Sequence, residues 1–147
     1  MTPNLWRMSL LILTAGVYAG CIGFLGSPKV TTHCPFDQAW SVALASLDEF
    51  DLDHVNGAKG VIETSWLTVQ ATTKAGLLQR DVNKERVRFI VDIEPQSQGA
   101  SVAVQQFRET WSPMGVRYRE WRRVPPHQDE EARLAERIEK RLKDRGC

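Results

Sequence analysis

At 147 residues, with 42% hydrophobic and 25% charged side chains, the chain has the make-up of an ordinary globular protein, which excludes fibrous and disordered classes. The balance of 19 basic against 18 acidic side chains gives a net charge of +1, so no global field favours nucleic acid. One folded domain is expected.

The first element is a leader. From Met8 to Gly26 no residue is charged, Arg7 is the one charge before that run, and Leu10, Leu11, Ile12 and Leu13 form a dense apolar block. This is a targeting segment and stands apart from the fold. In one reading Arg7 is the positive n-region, Leu10 to Val17 the apolar h-region, and Tyr18-Ala19-Gly20-Cys21 a processing site that resembles the lipobox of bacterial lipoproteins. Residues 1–20 are then a signal peptide, and Cys21 carries lipid, palmitate included, at the new N-terminus. Tyr18 departs from the leucine usual at that place. In a second reading the run stays uncut and spans the bilayer, whose hydrocarbon core takes about 20 apolar residues, with Gly16 and Gly20 as a GxxxG packing face. An ordinary signal peptide is the third. All three place the domain outside the cytoplasm. Removal of residues 1–20 deletes Arg7 and no acid, leaving 18 basic and 18 acidic side chains.

Residues 21–34 read as the lipid-attachment cysteine followed by a short tether, since Ser27-Pro28-Lys29-Val30-Thr31-Thr32-His33 has no apolar periodicity. Fully extended, the stretch from Cys21 to Cys34 reaches at most roughly 45 Å. The domain occupies residues 35–147. Phe36, Trp40, Ala43, Leu44, Leu47 and Phe50 recur at the spacing of one buried helical face, with Pro35 and Asp37 suited to its first turn. Leu52 to Val55 is a short strand candidate, Asn56-Gly57-Ala58-Lys59-Gly60 a turn, and Val61 to Val69 its hairpin partner with Ile62, Thr64 and Trp66 on one face. Leu67 to Lys84 lacks a clean pattern and is partly strand, partly loop. Arg86 to Glu94 alternates, with Val87, Phe89, Val91 and Ile93 inward, as an antiparallel strand with one wet face does. After the Pro95–Gly99 turn, Ala100 to Trp111 returns with Val102 and Val104 inward, and Phe107 off that parity suggests a bulge. Trp111 to Pro126 reads as irregular. Asp129 to Arg145 is a helix with Leu134, Ala135, Ile138 and Leu142 on its apolar side, acids first, bases last, and Gly146 as its cap. The expected fold is α+β: an antiparallel sheet of about four strands flanked by an N-terminal and a C-terminal helix.

This order, with Ala39, Trp40, Ala43, Leu44 and Leu47 on the first helix and Gly60-Val61-Ile62-Glu63-Thr64-Ser65-Trp66 after it, resembles the helix-grip domains of NlpB/DapX-type lipoproteins. That family is component C of the outer-membrane β-barrel assembly machinery. Arg86 to Glu94, Val102-Ala103-Val104, and Leu134, Ile138 and Leu142 carry the likeness on to about residue 142. The family has two such domains after a long lead, whereas this chain has room for one. The resemblance implies a single helix-grip-like domain acting in outer-membrane protein assembly or envelope maintenance. With Ile22 rather than aspartate after the lipid cysteine, it implies attachment to the outer membrane, facing the periplasm. The uncut leader instead implies a single N-terminal span of the inner membrane.

Few residues invite chemistry. Asp51-Leu52-Asp53-His54 and the His33-Cys34 pair lack the spacing of a metal site, and Ser41 and Ser46 lack a nucleophile-elbow setting. No catalytic residue, metal or cofactor is expected beyond the covalent lipid on Cys21. Cys34 and Cys147 either pair, as an oxidising compartment permits, or stay free. The sharpest local feature is Arg117-Tyr118-Arg119-Glu120-Trp121-Arg122-Arg123, which with Trp111 is either a docking surface or a loop whose aromatics pack on the core. The expected partners are the membrane, through the anchor, and a protein of the envelope, met at Trp111 to Arg123 or at the open sheet face. The rival function is a carrier of a small apolar ligand, in a cavity lined by Phe89, Val91, Val104 and Ile138.

Overall fold

The computed structural model describes residues 26–70, 84–112 and 120–147, and the leader with Cys21 lies outside them. Two helices, α1 (Phe36–Ser46) and α2 (Gln128–Asp144), lie on one face of an antiparallel sheet of seven strands. The strands are β1 (Lys29–Thr32), β2 (Leu52–Asn56), β3 (Val61–Thr64), β4 (Leu67–Gln70), β5 (Lys84–Gln96), β6 (Gly99–Ser112) and β7 (Glu120–Val124). The chain is therefore α+β as expected, but the sheet has three strands more than the four that alternation alone marks.

Each additional strand is short, at an edge, and without its own alternation. Lys29–Thr32, expected as tether, pairs with β6 from Lys29↔Ala103 to Thr32↔Ala100 and buries Thr32. The Val61 to Val69 hairpin partner is two strands: Ile62 pairs with Val91 and Leu67 with Val87, so the register slips by one residue at Ser65-Trp66. Phe89 N–H, left without a ladder acceptor there, donates to the Thr64 hydroxyl at 2.9 Å. The slip turns Trp66 away from Ile62 and Thr64 to the opposite face. Glu120–Val124, within the stretch expected to be irregular, pairs with the end of β6.

The two long central strands set the plan. β5 and β6 pair without interruption from Glu85↔Thr110 to Gln96↔Gly99, so the bulge expected at Phe107 is absent. The inward row of β6 is Ala100, Val102, Val104, Gln106 and Arg108, all buried, and Phe107 points to the other side. Off-parity Phe107 thus marks a sheet face, since side chains alternate strictly along a strand.

The core lies between the near half of this sheet and the helices: Ala39, Val42, Ala43 and Leu47 from α1, Leu134, Ala135, Ile138 and Leu142 from α2, and Ile62, Val91, Ile93, Val102 and Val104 from the strands. The α1 face is rotated from the one the large residues suggest. Its small residues touch the sheet closely, while Phe36, Trp40, Leu44 and Phe50 pack along the margin. Phe36 and Trp40 stack at 6.0 Å and cover the turn between β2 and β3. The glycine that this turn demands is Gly60, with φ +70°, because a Cβ there would lie 2.0 Å from Ile93 O. Asn56 closes the turn through Lys59 N–H at 3.0 Å.

The ends of the domain are tied. Gly146, at φ +83°, reverses the chain after α2 in a Schellman motif: Gly146 N–H bonds Lys143 O and Cys147 N–H bonds Leu142 O, both at 3.0 Å. The reversal brings Cys147 back to Cys34, to which it is joined by a disulfide with Cα atoms 5.3 Å apart.

Candidate binding face

The face of the sheet away from the helices carries no covering element among the described residues, and its side chains form an interlocked aromatic and arginine array. Alternation delivers them. On β5 the outward row is Arg86, Arg88, Ile90 and Asp92; on β6 it is Phe107, Glu109 and Trp111; on β7 it is Trp121 and Arg123. The register slip between β3 and β4 adds Trp66 beside them.

The Arg86 guanidinium is sandwiched between the Trp66 ring at 4.3 Å and the Trp121 ring at 4.2 Å. Trp121 in turn meets its cross-strand partner Trp111 edge-on at 5.4 Å. Arg88 lies 5.0 Å from Trp66 and 5.4 Å from Phe107, whose other flank carries Arg123 at 4.2 Å. Each such contact contributes about 0.5–1 kcal/mol at a half-exposed site. Two carboxylates hold the central arginines in plane. Glu109 accepts from Arg86 Nε at 2.8 Å and Nη2 at 2.6 Å, and Glu63 lies 3.3 Å from Arg88 Nη1. Arg122 pairs with Glu120 at 2.9 Å, whereas Arg123 makes no ion pair among the described residues.

The same face turns acidic at its other end. Asp92 sits beside Glu94 and Glu63, and its carboxyl is held above the usual 3.8 by burial first and then by repulsion from those two acids. A raised carboxyl favours the protonated form in the folded state, so folding carries a penalty that is full above the folded value, shrinks as pH falls through it and is gone below 3.8. Asp92→Asn is therefore expected to raise stability at pH 7 by roughly 0.5 kcal/mol or less, the scale of surface changes. Thermal melts at pH 7 and near pH 3 check this, and a gain that persists at the lower pH rules out the electrostatic cause.

Of the residues singled out in the sequence, Trp111, Trp121 and Arg123 are on this face and Arg122 is on the same strand, turned to the helix side opposite Thr110. Arg117, Tyr118, Arg119 and Cys21 lie outside the described residues. No protein-family model matches the chain, and no curated protein matches it. The array rests instead on residues that sequence reasoning did not gather: Trp66, Arg86, Arg88, Phe107 and Glu109. The signal for them was the odd-numbered row 103, 105, 107, 109, 111, whose parity an expected bulge at Phe107 obscured.

The polar groups set aside as chemistry are dispersed. Asp53 and His54 sit on the exposed edge strand β2, and Cys34 is in the disulfide. Among the described residues no group of three or more His, Cys, Asp or Glu is placed to hold a metal, and no helix is long and apolar enough to cross a membrane.

Proposed function

We propose that the protein is an envelope lipoprotein, anchored in the outer membrane by lipid on Cys21, whose helix-grip-like domain works by binding rather than by chemistry. Its role is that of an accessory in outer-membrane protein assembly or envelope maintenance. The observation that carries the binding reading is the uncovered sheet face, where three tryptophans, a phenylalanine and three arginines are held in a fixed array on rigid strands. Tryptophan and arginine are the residues that dominate interface energetics, because both join a large flat surface to a polar edge. The Cys34–Cys147 disulfide supports placement outside the cytoplasm, since such bonds persist in oxidising compartments.

The reading as a carrier of a small apolar ligand has less support among the described residues. Val91, Val104 and Ile138 are fully buried at 0% exposure and Phe89 at 6%, packed against one another and the helices. The apolar depression nearest to them, about 270 Å³ between Phe50, Leu67 and Leu134, opens to solvent at the sheet edge and is below the usual range for a small-molecule pocket.

Metabolic labelling tests the anchor. Labelled palmitate should enter the wild-type chain and not Cys21→Ala, and the variant should move from the membrane to the soluble fraction. Unlabelled wild-type protein, together with a variant that stays on the membrane, overturns the lipoprotein reading in favour of the uncut span.

A further inference from the structure

We propose that the tryptophan and arginine end of the open sheet face, at β7, seats on the anionic headgroup layer of the membrane to which the chain is tethered. This rests on the anchored binding module proposed above and names the partner of its face. Three observations lead there.

The first is where the described chain begins. Ser27 lies in the same cleft as Phe107, Arg123 and Pro125, and Pro28 O accepts Val104 N–H at 3.1 Å. β1 occupies the β6 edge up to Ala103, and β7 takes that same edge from Arg108 onward. The chain therefore enters the domain in the gap between them, alongside the arginine array. Because Lys29–Thr32 is a strand, at most the seven residues from Cys21 to Pro28 separate the lipid cysteine from the sheet, a reach of no more than roughly 25 Å. That is about half the reach the sequence suggests, so a lipid on Cys21 holds this edge of the sheet next to the bilayer, with Ser27 already running toward β7.

The second is charge. The outer face is polarised along its strands, with Arg86, Arg88 and Arg123 at the β7 end, Glu63 bound to Arg88 between the two ends, and Asp92 and Glu94 at the other, where Lys29 lies 3.5 Å from Glu94. Glu109 sits among these arginines, but Arg123 has no carboxylate of its own among the described residues. The basic end is thus the one complementary to an anionic surface. The third is chemistry. Tryptophan rings partition to the headgroup level, and arginine forks onto phosphate oxygens. A short leash presents this face to the bilayer at high local concentration whether or not a protein partner is present.

The test uses the full-length acylated protein in vesicles of phosphatidylcholine alone and of phosphatidylcholine with phosphatidylglycerol. Flotation reads the anchor, and hydrogen exchange of the β7 amides, a strand paired among the described residues to β6 alone, reads the seating. Exchange of residues 120–124 should slow in the anionic vesicles, and Arg123→Gln should remove most of the slowing, given the roughly fivefold gain in occupancy that a basic side chain contributes beside an anionic surface, whereas Arg122→Gln, on the helix side of β7, should leave it in place. Arg123 is exposed and its variant loses only the Phe107 contact, so a melting midpoint lowered by no more than a few degrees is expected and reports that the fold is intact. Floating protein with equal exchange in both vesicles overturns the seating and leaves the anchor standing. Slowing that appears only when an envelope protein extract is added also overturns it, in favour of a protein partner. Failure to float overturns both.

Discussion

Reducing the Cys34–Cys147 disulfide is expected to lower the thermal midpoint of the domain by roughly 10–30 °C, which corresponds to about 2–5 kcal/mol for a domain of this size. The bond joins residues 113 apart, so in the unfolded chain it closes nearly the whole domain into a ring and removes a large share of its conformational freedom. It also has a local structural role. Cys34 is buried at the joint between β1 and α1, and Cys147 is carried there by the reversal at Gly146. The bond thus fastens the last turn of α2 to the edge strand β1, an element of only four residues. Thermal melts with and without reductant, and of Cys34→Ser/Cys147→Ser, check the expectation. Midpoints within a few degrees of each other after verified reduction would show that α2 and β1 hold without the bond. Gly146→Ala, strained at a positive φ, should weaken the same corner without touching sulfur.

How much of this was legible before the structure depends on length and periodicity. The helices were, because Leu134, Ile138 and Leu142 repeat at one position per turn and the acids and bases of α2 sort to its two ends. The central strands were, because Val87, Phe89, Val91 and Ile93 of β5 alternate inward, with Ile90 as the one apolar residue on the other face. The three extra strands were not. Four or five residues such as Lys29–Thr32 or Glu120–Val124 hold two or three inward positions, too few to show a period, and they become strands only because β6 offers them an unpaired edge. That is information held in β6 rather than in their own residues. The binding face was half legible for the same reason. Trp121 and Arg123 stood out as a cluster in sequence, whereas Trp66 joins them only through a one-residue slip that no local pattern announces.

The helix-side row of β6 raises the opposite question, since it begins as a hydrophobic stripe and ends in Gln106 and Arg108, both buried. The gap on the β6 edge between β1 and β7 explains the first of them. Gln106 N–H faces that gap, where no strand among the described residues receives it, and the Glu131 carboxylate, from the first turn of α2, accepts it at 2.7 Å. The Gln106 side chain replies by accepting His127 N–H at 2.8 Å, at the helix N-terminus where no side chain of the cap residue does so. An exposed strand edge and an uncapped helix end, each costly alone, are closed against each other.

Arg108 completes this end, and Arg108→Ala is expected to cost about 3–5 kcal/mol, as removal of one partner of a buried ion pair does. Its Nε donates to Glu85 at 3.0 Å, and the two side chains are 5% and 1% exposed, so the variant leaves the Glu85 charge in a place water hardly reaches. A guanidinium nitrogen of Arg108 also meets the His127 ring, so the loss should spread to the start of α2. The double variant Arg108→Met/Glu85→Leu should recover most of the stability, because a buried pair replaced by well-packed apolar groups of similar volume is often neutral. Urea unfolding of the wild type, both single variants and the double variant measures the coupling. A double variant as unstable as the sum of the singles would mean that the pair contributes more than mutual neutralisation. Both residues sit on the helix side of β5 and β6, and a slip of either strand by one residue would send its charged side chain to the opposite face and leave the other buried alone. The pair thereby favours a single register for the strands on which the tryptophan and arginine array depends.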